Sequence, residues 1–249
     1  MSDATATFIE RYLEPASDAH YATLMAPAAT RHATAAAFAF HQHIRNLLAI
    51  AADVAPSKIA WWHDALGQLR EARAAHPALE PLLSHASEAL IDDLNTLLHG
   101  AVMDFNRVDV DDDNLDEYLS MRVGALHAVL ARIEQRPVDP ASSMALARVH
   151  GVIDMVRESR EPAFAEQPSA PLTLPNTSDD ASMAAALTQH LETARKPAEA
   201  ARYGVASHAL LALRIAQWPK IVETPSGEQS PSLPPWRKLF IAWRAARRA

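Results

Sequence analysis

Ile59-Ala60-Trp61-Trp62-His63-Asp64-Ala65-Leu66 is the stretch on which the reading of this chain turns. Each indole ring needs a large apolar contact surface and a partner for its N–H, so two in a row are costly to place. By themselves they read as core packing. Pro56 opens the helix that carries them, and Ile59, Trp62, Leu66 and Leu69 recur at helical spacing until Pro77 closes it. Working outward, residues 16–50 read as a helix pair, or one broken helix, interrupted near Pro27, with Phe38, Phe40, Ile44, Leu47 and Leu48 on its apolar side. A third helix is expected from about Ala78 through Leu79, Leu82, Leu83, Leu90, Leu94, Leu97 and Leu98. Further helices are expected over Leu115 to Glu134, Ser142 to Glu161, Ser182 to Arg195, Ala198 to Trp218 and Trp236 to Arg248. Residues 162–181 and 219–235 read as loops.

Bulk composition agrees with an all-α chain. Only six of 249 residues are glycine, alanine abounds and β-branched residues are few. Seventeen prolines fall mostly between the periodic segments. No strand pattern, internal repeat or domain-sized shift in composition breaks the chain, so one domain over 1–249 is expected. The net charge of −7 argues against a nucleic-acid partner. The absence of cysteine removes disulfides, thiolate nucleophiles and Cys-based zinc sites, and fits a reduced, cytoplasmic setting. Met1-Ser2-Asp3-Ala4 does not begin a signal peptide, and no run of eighteen apolar residues exists.

Few motifs carry chemistry. Asp109, Asp111, Asp112 and Asp113 fail the calcium-loop template, which needs glycine at its sixth position and glutamate at its twelfth. They precede a helix, where acid suits the dipole and Asp113 or Asn114 can cap N–H groups. The twelve histidines form no H-E-x-x-H pair, and His41 and His43, two apart, point in different directions. No G-x-S-x-G elbow and no phosphate-binding glycine loop is present. The C-terminal segment is distinctive. Trp236, Leu239, Phe240 and Trp243 share one helical face, Arg237, Lys238, Arg244, Arg247 and Arg248 fill much of the rest, and no acid follows Glu228. Such a helix docks on the core with a solvated basic side, lies on an anionic membrane, or does both. In the second case Trp236, Phe240, Trp243 and Arg244 are its contacts, at the inner face of the membrane.

In order along the chain, several landmarks resemble the squalene/phytoene synthase family. Tyr21-Ala22-Thr23-Leu24-Met25-Ala26-Pro27-Ala28 is similar to its "R-Y-x-x-x-L-F-A-P-x". Phe38-Ala39-Phe40 looks like the "Y-A-F" that leads into its first aspartate-rich motif. Trp61-Trp62 looks like part of "R-L-x-W-W-R-x-x-L", Leu90-Ile91-Asp92-Asp93-Leu94 follows, and Tyr118 through Gly124 resembles "Y-x-x-x-x-x-G-x-L". The resemblance implies an isoprenoid-synthase helical bundle around a central cavity, with Phe40, His41, Tyr118 and Gly124 lining it. It also implies head-to-head joining of two isoprenyl diphosphates, with two D-x-x-x-D motifs on facing helices holding Mg²⁺. Carboxylates four apart share one helix face, and their hard oxygens suit that ion.

The chain departs from this pattern where the chemistry sits. The first motif falls on Arg45-Asn46-Leu47-Leu48-Ala49, with no aspartate. The second falls near Arg157-Glu158-Ser159-Arg160-Glu161-Pro162, or, in a shifted register, on Asp154 and Glu158. These losses resemble the divergent branch that includes a mitochondrial complex I assembly factor. The expectation is therefore a non-catalytic member, without cofactor, that binds an isoprenoid or lipid-like ligand or serves as an assembly-type protein with a protein partner. Arg45, Asn46, Asp154, Arg157, Glu158 and Glu161 are the ligand-binding candidates. The alternative is an active prenyltransferase using Asp154, Glu158 and Glu161 with Mg²⁺.

Overall fold

A computed structural model describes residues 2–46, 54–106, 109–111, 113–160, 180–201, 203–224, 228 and 232–249. These form helices with no β-sheet among the described residues: α1 (Asp3–Tyr12), α2 (Asp18–Met25), α3 (Arg31–Asn46), α4 (Ala55–Arg70) and a 3₁₀ helix (Pro77–His85) come first. Then follow α5 (Glu88–Phe105), α6 (Leu115–Leu119), a π-helical turn (Ser120–Gly124) and α7 (Ala125–Ile133). Last come α8 (Pro140–Arg160), α9 (Asp180–Ala200), α10 (Val205–Glu223) and α11 (Pro235–Ala246). None of the described helices is long and apolar enough to cross a membrane.

The helical class is as expected, and the differences in boundary have local causes. The sequence reading passed over α1, which starts where the Ser2 hydroxyl accepts the Thr5 N–H at 3.3 Å. The helix expected from Ala78 is two pieces. Pro77 and Pro81 lack N–H donors, which favours a short 3₁₀ segment, and Ser87 caps a new start by accepting the Leu90 N–H at 3.2 Å. The break expected before Ala198 instead falls between Ala200 and Val205, with Pro197 inside α9. The Glu134 carboxylate fixes that break by accepting the Val205 and Ala206 N–H groups at 2.6 and 2.9 Å. Pro219 likewise lies inside α10, so the first five residues of the expected loop 219–235 are helical. Of the loop 162–181, residues 162–179 lie outside the described residues and 180–181 belong to α9.

The two tryptophans divide their roles because neighbours on a helix point about 100° apart. Trp62 is 2% exposed and meets Phe40 edge-on at 5.0 Å, whereas Trp61 is 45% exposed. Around Trp62, apolar side chains of α1 to α5, α7, α10 and α11 form one cluster. A second gathers α6, the π turn, α8, α9 and the rest of α10. Where the two meet, α5 touches the π turn backbone to backbone. A Cβ on Gly100 would lie 2.9 Å from the Met121 carbonyl, so only glycine fits.

Candidate functional site

Six helices and the π turn bring ionised side chains into the interior where the two apolar clusters join. Arg45, near the end of α3, reaches across to α8, pairing with Glu158 and lying 3.8 Å from Asp154. Arg122, carried inward by the π turn, also grips Glu158 and reaches Asp104 of α5 at 3.3 Å. Arg214 of α10 holds Asp154 at 3.1 Å and Asp18 of α2 at 3.6 Å. Lys238 of α11 completes the chain of contacts, 3.0 Å from Asp18. Four carboxylates thus face four fixed cations, Arg45, Arg122, Arg214 and Lys238.

Buried together, the charges are stabilised chiefly by one another. Burial pushes the Asp154 carboxyl up, but Arg214, His150 and Arg45 outweigh it and hold it well below the usual carboxylate range. Glu158 is lowered in the same sense, burial being overcome by Arg122 and then Arg45. Arg122 stays a cation because Glu158 and Asp104 outweigh its burial. The Tyr118 hydroxyl donates to Asp104, and burial raises its own pKa.

Three buried histidines stand beside these charges. His150 Nε2 lies 3.2 Å from Asp154 and donates to it, which leaves Nδ1 to accept from His127 Nε2 at 3.1 Å. His41 Nε2 donates to the Arg122 carbonyl at 3.1 Å. Burial, then the Arg45 charge, lowers the His41 pKa to about 3. Burial, then His150, puts that of His127 well below its ordinary value.

The family model for squalene/phytoene synthase matches residues 14–153, more than half of the sequence. The chain belongs to this family. No curated protein matches it. The family match stops one residue before Asp154, so the α8 carboxylates lie beyond it.

A squalene/phytoene synthase holds Mg²⁺ on opposed carboxylates, and the donor set here does not fit that ion. The α3 side offers a guanidinium, and the two α8 carboxylates are already engaged by arginines. Among the described residues no group of three or more His, Asp or Glu could hold a metal.

Of the candidate residues, the fold brings Arg45, Asp154 and Glu158 together. Asn46 instead accepts from Gln42 at 2.9 Å, away from the ion pairs. Arg157 is half-buried, about 100° around α8 from Glu158. Glu161 lies outside the described residues. Phe40 and Tyr118 are fully buried, His41 points at the π turn, and a Cβ on Gly124 would lie 3.1 Å from Ala147 Cβ. The aspartate cluster forms a turn. Asp111 accepts the N–H groups of Asp113 and Asn114 at 3.1 Å each, and the Asn114 side chain accepts that of Asp111 at 2.9 Å. Neither Asp113 nor Asn114 caps α6 with its side chain, and Asp112 lies outside the described residues.

Sequence reasoning missed Asp18, Asp104, Arg122, His127, His150, Arg214 and Lys238 as parts of one site. A signal existed. Asp104 continues the stripe Leu90, Leu94, Leu97, Ala101; Arg122 lies between Tyr118 and Leu126; Arg214 lies between Leu210 and Trp218. A charge in register with buried apolar residues must find a partner of opposite sign inside.

Proposed function

We propose that this chain is a catalytically silent member of the squalene/phytoene synthase family, kept for binding or assembly and not for prenyl transfer. One observation carries the reading: Arg45, at the first-motif position, pairs directly with Glu158 at the second. Ionising an isoprenyl diphosphate requires concentrated positive charge against the leaving group. Here Arg45, Arg122 and Arg214 spend their charge on internal carboxylates, and the buried Asp154 and Glu158 would have to shed guanidinium partners before meeting a metal. Phe40 and Trp62 pack edge-on in the interior, which leaves no room for a long prenyl chain between them.

A second reading remains on the i, i+4 spacing of Asp154 and Glu158, which resembles half of a magnesium site. Farnesyl diphosphate with and without Mg²⁺ separates the two. The expected result is no release of inorganic diphosphate and no Mg²⁺-dependent rise in melting temperature. A ligand at a hundredfold excess over Kd stabilises by about 2.7 kcal/mol, which a melting curve detects easily. Turnover that disappears in Glu158→Gln would establish the second reading instead.

A further inference from the structure

α11 is mounted with its large apolar residues outward. Trp236 is 70% exposed, Phe240 54%, Trp243 46% and Leu239 45%. At 100° per residue these four span an arc of about 100°. The opposite side, Lys238, Ile241, Ala242 and Ala245, meets the rest of the protein, with Ala242 fully buried and Lys238 5% exposed. A helix built only to close a core would bury its tryptophans and leave lysine in water. This one does the reverse.

The reversal is fixed by specific contacts. Lys238 Nζ donates to the Ala16 carbonyl at 2.9 Å and pairs with Asp18. Asp18 is itself held by Gln217 at 2.7 Å and by Arg214. The ammonium therefore reaches the same chain of ion pairs that runs to Asp154, and turning α11 over would take from buried Asp18 its nearest cation.

Charge identifies what covers the outward face. Arg237, Arg244 and Arg248 are exposed along one flank of the aromatic arc, and Arg247 lies over the Trp243 ring at 5.0 Å. Residues 235–249 hold five cations and no acid in a chain whose net charge is −7. Tryptophans at headgroup level, phenylalanine and leucine between them and arginines along one side match an anionic bilayer. We infer that α11 is a preformed lipid-docking face that seats the protein on anionic membranes through Trp236, Leu239, Phe240 and Trp243, with Arg237 and Arg244 reaching lipid phosphates. This inference does not depend on whether the interior is catalytically silent.

The test is co-sedimentation of the full chain with phosphatidylcholine vesicles, with and without phosphatidylglycerol, alongside light scattering to read its mass. Binding to the anionic vesicles at least tenfold above the neutral ones, weakened by salt, is expected. Trp236→Ser/Phe240→Ser/Trp243→Ser should lower that binding by more than tenfold with an unchanged melting temperature, because these side chains support no core. Arg237→Glu/Arg244→Glu should remove the preference for anionic lipid. The inference is overturned if the wild-type chain ignores anionic vesicles as fully as the triple variant does. It is equally overturned if the face holds two copies together, seen as a dimer that the triple variant converts to monomer.

Discussion

At the scale of single residues, the consequence of the interior ion pairs is an asymmetry in what mutations cost. Truncating one member of a buried pair leaves its partner charged and dry, at a cost of about 3–5 kcal/mol. Arg45→Ala, which strips Glu158 and Asp154 of a cation, should lose stability of that order in urea titration. Arg70→Ala removes contacts to Glu88 and Asp92 at 2.9 and 3.1 Å, within ordinary hydrogen-bond distance. Its side chain is 44% exposed, however, so water compensates and a change under about 1 kcal/mol is expected. A loss of equal size in both variants would show that the interior is wetter than the burial of Arg122 and Asp154 implies. The identity of Arg45 was readable as an anomaly in its motif, but its partners were not. Glu158 lies 113 residues away, and no local pattern encodes so distant a contact.

At the scale of elements, the π turn between α6 and α7 is the feature on which the interior depends. It adds a residue to one turn of the helix and holds the buried Arg122. The backbone of α5 lies directly against it at Gly100. Gly100→Ala should therefore cost about 1–3 kcal/mol, since the added methyl meets the Met121 carbonyl and not a movable side-chain end. Gly67, in the middle of α4, has nothing within 4 Å of an added Cβ. Gly67→Ala should stabilise by roughly 0.5–1 kcal/mol, through helix propensity alone. Opposite signs in thermal melts would confirm the close approach at Gly100. Helix identity was legible across most of the chain because apolar spacing repeats every three or four residues. The π turn was not, since Leu115 to Ile133 keeps an apolar stripe whether or not one turn is wider.

Across the whole molecule, the buried neutral histidines make stability depend on acid. Unfolded, His41 and His127 take up protons near pH 6.5; folded, His41 does so only at about 3 and His127 well below its ordinary value. Their contribution is complete above about pH 6.5 and declines as pH falls towards the folded values, at about 1.4 kcal/mol per group per pH unit. Asp154 and Glu158, also depressed, contribute above their ordinary carboxylate range and lose that contribution below it. Urea unfolding at pH 7.5 and pH 5.5 should differ by about 3 kcal/mol in favour of the higher pH. A flat profile would mean that the histidines are hydrated.

The sequence by itself determined the helical class, the family and the basic aromatic side of α11. Each is set by residue spacings within a few turns, or by landmarks in order, and survives without knowledge of any distant contact. Only the tertiary structure decided what replaces the aspartate-rich motifs. Arg45, Arg122 and Arg214 come from three separate elements, and their convergence on Asp154 and Glu158 depends on how α3, the π turn, α8 and α10 pack. The outward mounting of Trp236 and Trp243 was decided there too, because Ala242 is buried against the neighbouring helices and Lys238 is drawn inward to Asp18 of α2.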